Sequence, residues 1–428
     1  MNNSNEVITS ISKPKKFRTK FILALSAIGP GLFLIGYNIG TGSVTTMGMA
    51  GAQHGMSLLW ALIISGVFTY VAMVAFGHLT LVTGNTALFN FKNEIPKAGK
   101  IIAIYIMAAL ILGEVLALIG IMGIVSELIQ EGFRLASTSQ ALMVEAGWII
   151  LVISIIIFLT LWFGRYKMFE KILTGFVILM VFCFVVVLFI IAPSYSAIIE
   201  GMVPGIPDTP GASRLVAAMA GTTCSAAVFI IRSTVVAEKG WTIKHLNHEK
   251  RDAFVSVFTM IFLSAVVMAV GAGTLHVMGL TMETTLEMIR LLEPLGGESA
   301  AFLLIIGITG AGLSTIFPIV LIAPWLIADY MGWKRDIQSP MFRILILGGL
   351  LFAFGSIFID QAPPVLMVLS QAFQATILPA IAIPVFYLLN KKQLMGKIHL
   401  PSNLWNAGLI AVILFSLITT YFAIRGFF

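Results

Sequence analysis

Two stretches of the chain set small and hydroxylated residues where a membrane-crossing segment should be uniformly apolar. In IGYNIGTGSVTTMG, residues 35–48, Gly40, Thr41, Gly42 and Ser43 stand among Asn38, Thr45 and Thr46. In AAMAGTTCSAAVFIIRS, residues 217–233, Gly221, Thr222, Thr223, Cys224 and Ser225 occupy the middle of the run. Such clusters unwind a helix, and backbone released at membrane depth must line a cavity or be buried in protein. Freed carbonyls can coordinate a cation, and half-helix N-termini can receive an anion. The structural alternative is close helix packing through small residues four apart, such as Gly36 and Gly40.

Charges within apolar runs are the next candidates. Glu114 lies inside LILGEVLALIG, and a carboxylate at that depth is a functional hypothesis by default. Arg232 is the only basic residue in the second stretch and is the expected partner of Glu114. The pair reads either as an ion or proton relay or as a static, self-neutralising bridge. Gln371 in LSQAF is a substrate-contact candidate or a helix–helix hydrogen bond; Ser314 and Thr315 sit at comparable depth. His245 and His248 lack a third metal ligand and read as a solvated loop, as does His54; Cys183 and Cys224 read as buried packing thiols. No Ser-His-Asp set, phosphate-binding loop or zinc spacing occurs in a plausible context. The chain therefore reads as a non-enzyme without cofactor, driven by a gradient, with H⁺ or another ion as the possible coupling species.

The elements that carry these residues follow from composition. Of 428 residues, 59% are hydrophobic and 11% charged, and the mean hydropathy is +1.01. That predicts a polytopic α-helical membrane protein. Eleven spans are predicted near 21–50, 56–82, 100–126, 142–163, 170–192, 212–236, 252–279, 299–328, 342–359, 363–389 and 403–425, the first of them uncleaved. The first and sixth carry the breaks, and each is followed by four more spans, which is the sequence signature of a site between two repeats. Basic residues gather in the tail before residue 21 and in every second loop: Lys92 and Lys97; Arg165 and Lys167; Lys239 and Lys244; Lys334 and Arg335; Lys391 and Lys397. The intervening loops hold Glu200, Asp208, Glu283, Glu293 and Asp360 instead. This predicts a cytoplasmic N-terminus and an outer C-terminus in the cell membrane. The net charge of +7 thus reflects membrane topology and implies no nucleic-acid partner. The stretch 280–299 reads as an amphipathic outer helix.

The chain resembles the NRAMP family of proton-coupled divalent-metal transporters over nearly its whole length. The resemblance rests on GPGLFLIGY from Gly29, AGAQHGMSLLWALIIS from Ala50, LVTG from Leu81, GEVLALIG in the third span, VLSQAF with Pro379 in the tenth, and KKQLMG after it. It implies an all-α integral membrane fold of the LeuT type. Two inverted five-helix repeats, 21–192 and 212–389, would follow a basic tail at 1–20, and an eleventh transmembrane helix would occupy 403–428. It also implies a monomer in the lipid bilayer.

The family's metal-binding positions are altered. The Asp-Pro-Gly-Asn of its first span corresponds to Gly40, Thr41, Gly42 and Ser43. The Ala, Met, Pro and His of its sixth span correspond to Thr222, Ser225, Ala226 and Ala227, and a later His to Arg232. Glu114 matches the third-span Glu near the family's proton route, Ile111 replaces the Asp before it, and Gln371 is retained. Metal ligands here would be Ser43, Thr222 and Ser225, with backbone carbonyls. Three readings stay open: transport of a divalent cation of the Mn, Fe or Mg class, transport of an amino acid or carboxylate received by helix N-termini, and a binding or sensing protein without transport.

Overall fold

Hydrocarbon offers no partner for backbone N–H and C=O groups, so long apolar runs close their hydrogen bonds within themselves as helices. The computed structural model describes residues 40–136, 144–164, 166–191, 195–291 and 297–427, and the elements within them are all helical. α1 (Thr41–His54) is followed by α2 (Leu59–Thr83), the short α3 (Ala87–Glu94), the long α4 (Gly99–Ala136) and α5 (Ala146–Trp162). Next come α6 (Tyr166–Ile191), α7 (Tyr195–Gly201), α8 (Ala212–Thr223), α9 (Ala226–Glu238) and α10 (Leu246–Gly271), which runs into a π-helical turn, Ala272–His276. Then follow α11 (Thr285–Ile289), α12 (Gly297–Met331), α13 (Pro340–Phe352), α14 (Pro363–Leu389), α15 (Lys392–Met395) and α16 (Asn403–Phe427).

Among the described residues, eight segments are long and apolar enough to cross a bilayer, with α8 and α9 counted as one. They are the second, third and sixth to eleventh predicted spans. The fourth is the 17-residue α5, and the fifth is α6. The first is described from Gly40 onward; the basic tail, GPGLFLIGY, Asn38, Arg165 and Glu293 lie outside the described residues. The third span extends ten residues past its predicted end at 126, to Ala136. The multi-pass membrane architecture is therefore plain.

Burial orders the helices. The α8–α9 span is 94% buried over its most apolar stretch, against 33% for α16 and 22% for α13. The broken span runs through the centre, while α13 and α16 turn apolar side chains to lipid. α14 packs on α4, α8 and α16; α12 packs on α4 and α6; α10 packs on α1 and α2. A Cβ at Gly221 would overlap the Gln371 carbonyl oxygen, so α8 and α14 meet backbone to backbone. Small residues permit such contact inside a membrane.

The alternating basic loops come together at one end. Lys391 Nζ lies 2.8 Å from Glu94 Oε2, Lys92 Nζ donates to the Tyr330 carbonyl, and Arg335 bridges Glu238 at 3.0 Å and Asp329 at 3.2 Å. At the opposite end, the described part of the predicted amphipathic helix holds α11, capped by reciprocal bonds between Thr284 and Glu287. It does more than cover the surface. Met282 and Met288 are fully buried, and Thr45 donates a weak 4.0 Å bond to the Met288 sulfur, so this segment seats on α1.

Candidate functional site

The break of the sixth span forms where helix-poor residues cluster. Gly, Thr, Cys and Ser each lower helix propensity, and five in succession at 221–225 leave nothing to hold the turn. α8 stops at Cys224 (φ −102°, ψ 50°), and α9 begins after an extended Ser225 (φ −70°, ψ 129°). The released backbone is satisfied locally: Cys224 N–H donates to Ala220 O at 2.7 Å, and Thr69 Oγ1 on α2 donates to Thr223 O at 3.0 Å. α1 likewise begins after an extended Gly40 (φ −88°, ψ −173°) with no side-chain cap. Its first-turn N–H groups have no partner within the helix.

A closed cavity of about 30 Å³ lies between these ends. α1 contributes Gly40, Gly42 and Ser43, and the α8–α9 break contributes Thr222 and Ser225. Three intact helices complete it, each with residues spaced to share one face: Glu114, Ala117 and Ile121 from α4; Thr315 and Ile319 from α12; Met367, Gln371 and Gln374 from α14. Ser43 Oγ and Thr222 Oγ1 are 3.0 Å apart, a hydrogen bond that joins the two broken spans directly. Ser225 Oγ donates to Gln374 Oε1 at 2.9 Å, and Gln374 Nε2 donates to Glu114 Oε1 at 3.1 Å. Glu114 is 3% exposed. Room is minimal because side chains fill it: a Cβ on Gly40 would overlap the Thr315 hydroxyl, and one on Gly42 would come within 2.6 Å of the Met367 methyl.

Of the residues singled out from the sequence, Gly40, Gly42, Ser43, Glu114, Thr222, Ser225, Thr315 and Gln371 are thus brought together. Thr41 turns away, and a Cβ on Gly312 would lie 3.0 Å from its Oγ1. Arg232 stands elsewhere, and its expected pairing with Glu114 does not form. Arg232 Nε and Nη2 donate to the two Glu249 carboxylate oxygens at 2.9 and 2.8 Å, and Nη1 donates to Asp252 Oδ2 at 2.5 Å. The reason is distance along the helix. Arg232 is about two turns past the break, roughly 10 Å at the helical rise. Glu249 and Asp252, three apart on α10, present a common face to it.

Gln374 was not foreseen, although it lies one turn from Gln371 on the same helix face. Met367, four residues before Gln371, carried the same signal. Thr69 gave none: a hydroxyl in an apolar span reveals its role only when its neighbour is known. His245 stacks on Trp241 with ring centroids 6.0 Å apart and accepts the Thr242 N–H. Among the described residues no three His, Cys, Asp or Glu side chains gather to hold a metal ion. The cavity's donors are one carboxylate, four hydroxyls, two amides and a thioether.

A family model described as natural resistance-associated macrophage protein-like (Nramp) matches residues 31–425. The divalent metal cation transporter MntH of Pectobacterium carotovorum is 24% identical over 390 residues, 89% of either chain. MntH of Klebsiella pneumoniae is 24% identical over 387 residues, 87% of this chain and 88% of that one. Among solved structures, the Eremococcus coleocola manganese transporter in complex with an aromatic bis-isothiourea compound superposes with a TM-score of 0.76. That alignment is 14% identical and covers 97% of this chain and 90% of the other. Mhp1, a nucleobase-cation-symport-1 family transporter in a closed conformation, gives a TM-score of 0.61 at 14% identity, over 93% and 92% of the two chains. These likenesses show the fold, which is of the LeuT type.

Proposed function

Since the chain belongs to the Nramp family, we propose that it is a secondary-active transporter of a divalent cation, bound in the cavity between its two broken spans. The observation that carries this reading is Glu114, whose carboxylate enters the same 30 Å³ cavity as Ser43, Thr222 and Ser225. Neutral oxygens alone leave a divalent ion at membrane depth without a counter-charge, which is costly. Glu114 supplies that charge from a third helix. The helix ends do not cancel it. The N-termini of α1 and α9 each contribute about half a positive charge and the C-terminus of α8 about half a negative one, so with the carboxylate the sum stays near −0.5.

Ser43, Thr222, Ser225 and Thr315 then serve as hydroxyl ligands, and Gln371 and Gln374 offer amide oxygens. Hard oxygen donors suit Mg²⁺ and Mn²⁺, and the Met367 thioether is the one soft group. The family's Met position is Ser225, so any sulfur contact comes from α14 instead. The volume holds an ion with about one water and excludes a full hydration shell. An ion that enters hydrated sheds most of its water before this closed state forms. Even the smallest amino acid needs more room, which sets this conformation against the zwitterion reading.

The hydrogen-bonded series Ser225–Gln374–Glu114 links the break of the sixth span to the carboxylate, so an ion that draws Glu114 toward itself releases Gln374 and with it Ser225. This supports coupling of binding to movement of the broken span, with H⁺ or another ion as the driving species at Glu114. The protein then works as a monomer in the cell membrane, its basic-loop end and N-terminus cytoplasmic and its C-terminus outside, with repeats at 21–192 and 212–389. Uptake of Mn²⁺ and Mg²⁺ into proteoliposomes tests the reading. Saturable uptake that falls about tenfold or more in Glu114→Gln is expected, given the cost of an uncompensated charge. Absence of saturable uptake of both ions, with an amino acid or carboxylate transported instead, would overturn it.

A further inference from the structure

A second cavity, of about 340 Å³, opens where the basic loops gather, between α2, α10 and the segment leading into α16. Three bases line it: His78 on α2, Lys250 on α10 and His399 before α16; no Asp or Glu does. All three are half-buried and close enough for their charges to act on one another. None forms an ion pair among the described residues. The adjacent acids of α10, Glu249 and Asp252, are bonded to Arg232. Lys250 Nζ instead rests 5.4 Å from the centre of the Trp405 ring. Lys250 brings a positive charge to this hollow and the two imidazoles offer N–H donors, so an anion that enters is held with little screening by water in a half-buried site.

The mouth of this hollow is apolar and outward-facing. Ile398 is 90% exposed, and Leu404 beside it is 82% exposed. Tyr70, Phe254 and Trp405 form an aromatic row with successive centroids 6.2 Å apart. Aromatic rings of this kind settle at the membrane–water boundary. Basic hollows between transmembrane helices at the boundary accept anionic headgroups. We infer that this cavity is a binding site for the headgroup phosphate of an anionic phospholipid, with the acyl chains lying over Ile398, Leu404 and Phe254. Free phosphate shares the headgroup's charge but gains nothing from the exposed apolar rim.

The test uses the full chain in detergent, titrated with phosphatidylglycerol or phosphatidylcholine and read by native mass spectrometry. Preferential retention of phosphatidylglycerol is expected. Retention should fall about fivefold in Lys250→Gln, the effect of one surface charge on an anionic lipid, and to a smaller extent in His399→Gln, while Lys250→Arg keeps it. His399 lies in a loop outside the helices, so that variant probes the site even if Lys250→Gln disturbs folding. Equal retention of the two lipids, or unchanged retention in both Gln variants, would overturn the inference. Displacement of phosphatidylglycerol by millimolar inorganic phosphate would overturn the lipid as occupant and assign the hollow to a free anion.

Discussion

Ser225 and Arg232 stand on the same broken span, about two helical turns apart, and the polar regions around them solve opposite problems. Around Ser225, one carboxylate sits among neutral hydroxyls and amides, and a cavity of about 30 Å³ keeps space for something else. Around Arg232, a guanidinium with no exposure is closed on two carboxylates of α10, and no space remains. The first region is soft: Ser43 bonds Thr222 and Ser225 bonds Gln374, neutral group to neutral group. The second is stiff: one guanidinium holds two carboxylates at once. The comparison teaches that a charge in this fold is spent either on a neighbour or on a ligand. Under the proposed function, Glu114, bonded by the neutral Gln374, belongs to the second kind of use.

The largest effect that would break this comparison lies at the saturated end. Arg232→Met leaves Glu249 and Asp252 buried against each other without their cation. A loss of about 3–5 kcal/mol in unfolding free energy is expected, as for other broken buried pairs. The combined variant Arg232→Met, Glu249→Gln, Asp252→Asn removes the stranded charge and should recover most of that loss. Denaturant or thermal unfolding in detergent reads both. A cost below about 1 kcal/mol for Arg232→Met would show that the cluster is not held by its charges, and the contrast with the cavity would fail.

The next effect concerns one wall of the cavity. Gly221→Ala drives a Cβ into the Gln371 carbonyl, so α8 and α14 must separate. Overpacking of this kind costs about 1–3 kcal/mol. Because Gln371 also lines the cavity, cation affinity should fall together with stability. A variant of normal stability with reduced affinity would show instead that α14 moves freely on α8.

What the sequence made legible divides along the same line. Spans, breaks and the alternation of basic loops were readable because each is a one-dimensional signal: apolar length, clustered helix-poor residues, loop charge. The meeting of Gly40, Ser43, Thr222 and Ser225 was suggested by the matched order of the breaks. The partner of Arg232 was not readable. Glu249 and Asp252 look like ordinary loop-flanking acids until α9 and α10 fold back on each other, and depth together with the family resemblance pointed to Glu114. Gln374 and Met367 were within reach, since helical spacing from Gln371 places all three on one face. Thr69 illustrates the remaining gap, because its hydroxyl matters only through a carbonyl 154 residues away.

The smallest predicted effect is the sharpest probe of the soft end. Ser225→Ala removes the hydroxyl that donates to Gln374 Oε1 and leaves the Gln374–Glu114 bond in place. A hydrogen bond between neutral groups contributes about 1 kcal/mol net, so stability should change by no more than that. If Ser225 is also a ligand, Mg²⁺ or Mn²⁺ affinity measured by isothermal titration falls further than stability does, about fivefold or more, because a lost ligand to a charged ion costs more than a neutral bond. If Ser225 only holds Gln374, the two losses match. The cavity would then bind its ion through Glu114, Ser43 and Thr222, with the break of the sixth span acting as their support.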